Sequence, residues 1–222
     1  MFSGIQKNIK RLTLATFSFI GTVALLASVS SPVQADGPNP KVKMTVETGG
    51  SKGKKTAVIE IELFAKDAPK TVDHILALVK DKFYDGILFH RYAAGFVVQA
   101  GDPKTKKVDM KTAKIETTQL GVMISGMGEG GSGTTVPLEA KAKHDRGTLG
   151  LARSQAEDSG DSQFFFNLKP NNFLDSGYCS FGKVTKGLAV MDSLRTGDKI
   201  KSIRLEEPTK TKPTKKAKMG SK

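Results

Sequence analysis

The chain has 222 residues, a length that suits a single domain with its own hydrophobic core. Its one cysteine excludes an intramolecular disulfide. The formal net charge of +13 is concentrated at the ends: three of the charges lie in residues 1–35 and six in residues 208–222. The part between is only mildly basic, and the basic end lacks the interleaved aromatic residues of a nucleic-acid site. No nucleic-acid partner is therefore expected.

Residues 1–35 have the pattern of a secretory signal peptide. A basic start precedes an uncharged apolar run over residues 12–27, and Val33-Gln34-Ala35 fits a cleavage site. The run is shorter than the roughly 20 residues that span a bilayer, which favours cleavage over a retained membrane anchor. We therefore expect a mature chain that begins at Asp36 and is exported to the periplasm, with secretion as the second choice, and no stable membrane insertion after cleavage.

The next elements are two strands and a helix. Alternating apolar and polar residues over 41–47 and 56–63 predict two strands, joined by a glycine-rich hairpin loop. Pro69 is typical of the first turn of a helix, and the apolar positions from Val72 to Val79 follow a 3.6-residue period. A helix that ends near Lys82 is predicted, and it should cover one opening or edge of the sheet.

The following hairpin is the most informative stretch. Residues 88–103 are apolar enough to be interior, yet they contain Arg91 and Gln99. If residues 89–91 and 96–99 are two strands, side-chain alternation allows Arg91 and Gln99 to share a face. A polar group in an apolar environment costs several kcal/mol unless it is paired, so we interpret the hairpin as part of a site. The alternative is a core hairpin whose arginine reaches out to solvent.

The remaining elements are mostly short strands. Candidates at residues 121–124 and 136–139 flank the glycine-rich run 126–133, which lacks the Lys-Ser/Thr of a phosphate-binding loop and is predicted to be a flexible surface loop. Further strands are predicted at residues 147–152, 163–167, 181–184 and 199–205, and a second helix at residues 187–195. Many short strands and two helices indicate a mainly β (α+β) domain over residues 36–207, arranged as a closed barrel with a helix at each end.

The composition of the C-terminal end of the chain predicts disorder. Residues 208–222 carry six lysines and almost no apolar side chains, so a disordered, solvated tail is predicted. Delivery of the domain to an anionic surface by this tail is the alternative.

Cys179 is expected to be a buried strand residue rather than a nucleophile. Three consecutive phenylalanines, residues 164–166, must point to both faces of a strand, and Phe165 is the one expected to face outward, into a recognition pocket.

Four motifs, in this order, resemble those of the cyclophilins, the peptidyl-prolyl cis-trans isomerases. They are Phe89-His90-Arg91 with residues 95–102, residues 147–153, residues 162–165, and residues 173–175 with 181–184. The resemblance covers residues 41–206. It implies a closed eight-stranded antiparallel barrel, filled inside and capped by two helices, with the substrate groove on the outer surface.

The resemblance also implies the site residues. The catalytic arginine corresponds to Arg91 and its polar partner to Gln99. The residues that bind substrate correspond to Phe96, Val97, Ala152, Arg153, Gln163, Phe165, Phe173, Leu174 and Tyr178. Of these, Phe96, Val97, Phe165 and Leu174 form the proline pocket. Val97 replaces the commoner methionine, Tyr178 a frequent histidine, and Phe173 the tryptophan of cyclosporin-sensitive members. Because phenylalanine has no indole N–H, weak cyclosporin binding is predicted, and nanomolar inhibition would refute it.

The implied function is acceleration of rotation about Xaa-Pro bonds during the folding of exported proteins. The partners are proline-containing polypeptides, and a monomer without cofactor or metal is expected. The chemistry fits the residue types, because a donor aimed at the twisted amide favours it over the planar one and no bond has to break. The alternative is a cyclophilin-like peptide-binding module or chaperone that has lost turnover.

Overall fold

The computed structural model describes residues 38–49 and 53–206. The predicted signal peptide and the Lys-rich tail lie outside these residues. The elements in chain order are β1 (Lys41–Thr48), β2 (Lys55–Leu63), α1 (Pro69–Lys80), β3 (Arg91–Ala93), β4 (Val97–Ala100), β5 (Ile115–Thr118), β6 (Gly121–Ile124), β7 (Thr148–Leu151), β8 (Phe164–Asn167), β9 (Ser180–Lys186), α2 (Leu188–Ser193) and β10 (Lys199–Leu205). Within this part of the chain, no helix has the length and apolar character needed to cross a membrane.

The strands form one sheet in which neighbouring strands are antiparallel. The order is β10-β1-β2-β9-β7-β8-β4-β3-β6-β5. The expected closed eight-stranded barrel is therefore not confirmed, since the described strands number ten and the two outermost, β10 and β5, do not pair. The extra strand pair is the β5–β6 hairpin, which lies beside β3. The segment that leads into β3 contacts the start of β10 without forming a strand there. Leu88 makes an isolated bridge with Lys199, and backbone hydrogen bonds join residues 86–89 to residues 197–200.

The main core lies against one face of this sheet. Alternate residues of β1 and β2 are buried, as their sequence pattern predicts, and the apolar side of α1 packs on them. Phe164 and Phe166 of β8 belong to this core, whereas Phe165 does not. Cys179 is also buried, immediately before β9, and burial raises the pKa of its thiol to about 11.

A carboxylate distant in sequence caps the start of α1. Glu139 accepts hydrogen bonds from the backbone N–H groups of Lys70, at 3.2 Å, and Thr71, at 2.8 Å. These are among the donors that a helix start leaves without an intrahelical partner. The predicted strand at residues 136–139 is wrong, since this segment makes only an isolated bridge between Val136 and Gly160. The Glu139 carboxylate of this segment instead caps the start of α1.

The glycine-rich run 126–133 lies at the surface, but two carboxylates hold it. Asp102, which is fully buried, accepts from the N–H groups of Gly128, at 2.7 Å, and Gly130, at 3.2 Å. Asp161 accepts from the N–H groups of Ser132, at 3.0 Å, and Gly133, at 2.9 Å. The contacts at both ends of the run do not support the predicted flexibility. They fix the backbone carbonyls of this loop close to the predicted site.

Candidate active site

The hairpin of β3 and β4 brings Arg91 and Gln99 together, as side-chain alternation predicts. The two residues are directly opposite in the antiparallel register. Their side chains meet, with Arg91 Nη1 donating to Gln99 Oε1 at 3.1 Å. The guanidinium is partly buried, and the loss of water around it lowers its pKa from the usual value. It nevertheless stays charged at neutral pH, because the arginine pKa starts so high.

A second acceptor orients the guanidinium of Arg91. Its Nε donates to the backbone carbonyl of Leu120 at 2.7 Å, and its Cζ lies 5.9 Å from the centre of the Phe96 ring. Within the described part of the chain, no hydrogen bond engages the third nitrogen, Nη2. An arginine that only reaches out to solvent does not account for two fixed acceptors. The arrangement instead leaves one donor group available to a ligand.

Gln99 is itself held by a chain of hydrogen bonds that ends in the glycine-rich loop. Its Nε2 donates to Gln163 Oε1 at 2.9 Å. The Nε2 of Gln163 donates to the carbonyls of Gly128 and Gly130, both at 2.8 Å. Since Asp102 holds the N–H groups of the same two glycines, the orientation of Gln99 is linked to a buried carboxylate. Gln163 was predicted to line the groove, but the role of the loop was not predicted.

An apolar cluster separate from the main core lies next to Arg91. Ala93, Val97 and Phe165 are buried in it, and partly buried side chains pack against them: Phe96, Ala152, Leu174 and Tyr178. The structure therefore brings together the four predicted pocket residues. Phe165 faces away from Phe164 and Phe166, as the alternation along β8 predicts. The cluster has the apolar walls that a proline ring requires.

Two neighbours of Phe165 were not predicted. The ring of His144 stacks on it, with centroids 5.9 Å apart and planes 19° from parallel. The other neighbour is Gly150 of β7. This position has room only for a glycine, because a Cβ there would lie 2.2 Å from Cζ of Phe165. His144 is in turn fixed by Asp175, which accepts from the His144 backbone N–H at 2.7 Å and lies 3.1 Å from Nδ1. The glycine that interrupts the apolar strand β7 was the available signal in the sequence.

The other predicted groove residues lie at the rim. Phe173 is 72% exposed and stacks on Phe96 with centroids 5.8 Å apart. Its lack of an N–H donor keeps weak cyclosporin binding as a prediction, which calorimetry can measure. Arg153 packs over the Tyr178 ring, 5.0 Å from its centre, and its Nε donates to the carbonyl of Gly177 at 2.7 Å. Its Nη1 donates to the carbonyls of Ser154 and Gln155, both at 2.9 Å, so the guanidinium of Arg153 is tied to the loop that follows it.

No metal site accompanies this arrangement within residues 38–49 and 53–206, since no three His, Cys, Asp or Glu side chains cluster there in a way that could hold an ion.

The family model described as "Cyclophilin type peptidyl-prolyl cis-trans isomerase/CLD" matches residues 43–220. The chain belongs to this family. The cyclophilin is accordingly an enzyme of the peptidyl-prolyl cis-trans isomerase class.

Relatives of this cyclophilin carry the same designation. It is 32% identical over 202 residues to a probable peptidyl-prolyl cis-trans isomerase of Brucella suis, which covers 90% of this chain and 92% of the relative. It is 35% identical over 151 residues to peptidyl-prolyl cis-trans isomerase B of Bacillus subtilis, with 67% and 90% covered. The isomerase of Helicobacter pylori is 37% identical over 150 residues, with 65% and 78% covered.

Solved structures agree on the fold. A cyclophilin-type isomerase of Cryptosporidium parvum superimposes with a TM-score of 0.57 at 24% identity and covers 76% of this chain and 99% of its own. A second structure of that protein, in the presence of the dipeptide Ala-Pro, gives the same TM-score at 25% identity. The mainly β architecture with a few helices is thus that of a cyclophilin.

His90 lies beneath the site and should make this cyclophilin sensitive to acid. Within the described residues, neither ring nitrogen of His90 has a hydrogen-bond partner. Burial lowers the pKa of His90 to about 4; Asp102 opposes this shift and Arg91 adds to it. The folded state therefore holds His90 neutral where the unfolded chain, with a histidine pKa of about 6.5, takes up a proton.

We expect the stability that depends on neutral His90 to be fully present above pH 6.5 and to be lost as the pH falls towards 4. A lowering of this size corresponds to about 3 kcal/mol of unfolding free energy. Urea unfolding at pH 7 and pH 4.5 measures it, and His90→Leu should reduce the difference between the two pH values. Protonation of His144 should reduce the stability in the same pH direction, because burial also lowers the pKa of His144. An unchanged pH difference in His90→Leu would contradict the prediction.

Proposed function

We propose that this cyclophilin accelerates rotation about Xaa-Pro bonds by holding the proline ring in the apolar cluster and donating hydrogen bonds from Arg91 to the twisted amide. The observation that carries the proposal is the geometry of Arg91. Two of its nitrogens are fixed by Gln99 and Leu120, and Nη2 has no hydrogen bond within the described residues. The guanidinium carbon lies 5.9 Å from the ring centre of Phe96, which belongs to the apolar cluster with Val97, Phe165 and Leu174.

The physical basis is selective stabilisation of the twisted state. Partial double-bond character gives the peptide bond a barrier of about 18–20 kcal/mol. Twisting places a lone pair on the prolyl nitrogen, which then accepts a hydrogen bond more readily than it does in the planar amide. A guanidinium that is already oriented favours the twisted state without reorganisation of its own. Each 1.36 kcal/mol of such selectivity is worth tenfold in rate, so a few interactions suffice.

The remaining residues bind the polypeptide around the proline. Phe165 and Val97 give the floor of the pocket, and Ala152, Arg153, Gln163, Phe173 and Tyr178 border the groove that leads to it. A related isomerase was crystallised in the presence of Ala-Pro, which supports proline-containing peptides as the substrate class. Arg91 and Gln99 then act on the bond while the pocket anchors the ring.

Exchange NMR on an Ala-Pro peptide tests this function. The full chain is added in catalytic amounts, and the rate at which cis and trans signals exchange is compared with that of the free peptide, where isomerisation takes tens of seconds. Exchange that is faster by orders of magnitude is expected. Peptide binding with exchange at the uncatalysed rate would instead support the alternative, a peptide-binding module or chaperone.

We further propose that the enzyme acts as a monomer on exported proteins in the periplasm. The basic start, apolar run and small-residue exit of residues 1–35 support export, and the domain would then occupy residues 36–207. Cell fractionation with N-terminal sequencing tests the proposal, with a mature chain that begins at Asp36 as the expected result. Uncleaved chain in the cytoplasm would overturn it. Truncation at Pro208 tests separately whether the Lys-rich tail contributes to location.

A further inference from the structure

The β5–β6 hairpin adds two strands beyond the eight that the family resemblance implies. It joins the sheet only through β6, which pairs with β3 at Arg91, opposite Met123, and at Tyr92, opposite Val122. The hairpin therefore lies directly against the strand that carries the proposed catalytic arginine. Its outer strand, β5, is mostly exposed and contributes little to either apolar cluster. A contribution to the core does not account for its presence.

The turn of this hairpin presents a carbonyl to Arg91. Leu120 is the residue whose backbone oxygen accepts from Arg91 Nε at 2.7 Å. Thr118 stabilises the turn, because its Oγ1 accepts from the Leu120 N–H at 3.0 Å. At the base of β6, the hydroxyl of Thr196 donates to the carbonyl of Val122 at 2.7 Å. The turn that carries the Leu120 carbonyl is thus held by Thr118 before it and, through Val122, by Thr196 after it.

Gly121 fixes the distance between the turn and β3. Its φ is +111°, and a Cβ at this position would lie 2.5 Å from the Tyr92 carbonyl oxygen and 2.9 Å from the Ala93 Cα. Contacts this short leave no room for any side chain. The turn is therefore pressed against the backbone of β3, and any added atom would move the Leu120 carbonyl away from Arg91.

We propose that the β5–β6 hairpin is a positioning element for Arg91, with the Leu120 carbonyl as the second of two acceptors that orient the guanidinium. The inference rests on the proposed function. Gln99 engages Nη1 alone, and a single hydrogen bond lets the planar group rotate about it. A second acceptor at Nε fixes the plane of the guanidinium and therefore the direction in which Nη2 can donate.

The test is Gly121→Ala in the full chain, made both in the wild-type background and together with Arg91→Ala. Displacement of the Leu120 carbonyl should lower kcat for an Ala-Pro peptide at least tenfold, with KM changed by no more than about twofold, since the contact serves the transition state. Added to Arg91→Ala, the same substitution should have no further effect. The matched control is Gly53→Ala, another glycine with positive φ, whose Cβ position has no atom of the described residues within 4 Å and which should leave activity unchanged.

The Nε–H signal of Arg91 in ¹⁵N NMR gives a second readout. It is identified by its disappearance in Arg91→Ala, and in Gly121→Ala it should move and exchange faster with water. Thr118→Val, which adds no bulk, is the milder variant should Gly121→Ala fail to fold, and a smaller fall in kcat with the same NMR change is expected. Equal losses in both backgrounds, or a displaced signal with kcat unchanged, would overturn the inference. Full activity of Arg91→Ala alone would instead overturn the proposed role of the arginine, and with it the role of the hairpin.

Discussion

Arg91→Ala is expected to lower kcat/KM for isomerisation of an Ala-Pro peptide by about 100-fold. A loss of this size is what removal of one preorganised donor costs in other enzymes, and it corresponds to about 3 kcal/mol of transition-state stabilisation. The proposed proline pocket remains, because its walls come from the separate apolar cluster. Most of the loss should therefore appear in kcat. Exchange NMR with saturating and limiting peptide separates kcat from KM.

Two further variants sharpen this prediction. Arg91→Lys keeps the positive charge but loses the planar fork that bonds Gln99 and Leu120 simultaneously, so it should recover less than a tenth of the activity. Arg204→Ala removes another partly exposed arginine, whose guanidinium is paired with Asp85 at 2.8 and 2.6 Å, and it should leave kcat/KM unchanged. Activity of Arg91→Ala within twofold of wild type would show that the arginine does not act on the bond.

Local geometry is what made part of the site predictable. Side chains alternate along a regular strand, so two short strands were enough to predict that Arg91 and Gln99 can share a face and that Phe165 points away from Phe164 and Phe166. The fold class followed from the same periodicity. The roles that the resemblance implies for these residues remain predictions, which the variants above test.

Contacts between distant segments explain what sequence reasoning missed. Gln163 bonds carbonyls 33 and 35 residues away, and backbone oxygens look the same in every sequence. The carbonyl of Leu120 is a similar case. β5 was overlooked because Ile115–Thr118 has a single large apolar residue and faces mostly solvent. Such features follow from tertiary packing, which no local pattern records.

Gly150→Ala is expected to lower kcat/KM by about 10-fold or more, because it should force Phe165 into the space proposed for the proline ring. The new Cβ would lie 2.2 Å from Cζ of the ring, whereas ordinary contact begins at 3.4 Å. The ring cannot retreat, since His144 is stacked on it and Tyr178 packs against it in a T-shaped contact. The pocket is the remaining direction. KM should rise more than kcat falls, and overpacking should also cost about 1–3 kcal/mol of stability.

A double-mutant cycle distinguishes this steric route from general destabilisation. Phe165→Leu shortens the side chain that clashes, so adding Gly150→Ala to it should cost little further activity, and the two effects should be far from additive. Gly182→Ala is the matched control: the three atoms nearest to its Cβ would belong to Ile61, Glu62 and Leu63 of β2 rather than to the Phe165 cluster, with the Glu62 carbonyl at 2.9 Å, so it should lower stability while KM stays unchanged. If Gly150→Ala and Phe165→Leu instead reduce kcat/KM independently, the ring is not what the new methyl group displaces. Gly150 would then serve the strand rather than the pocket.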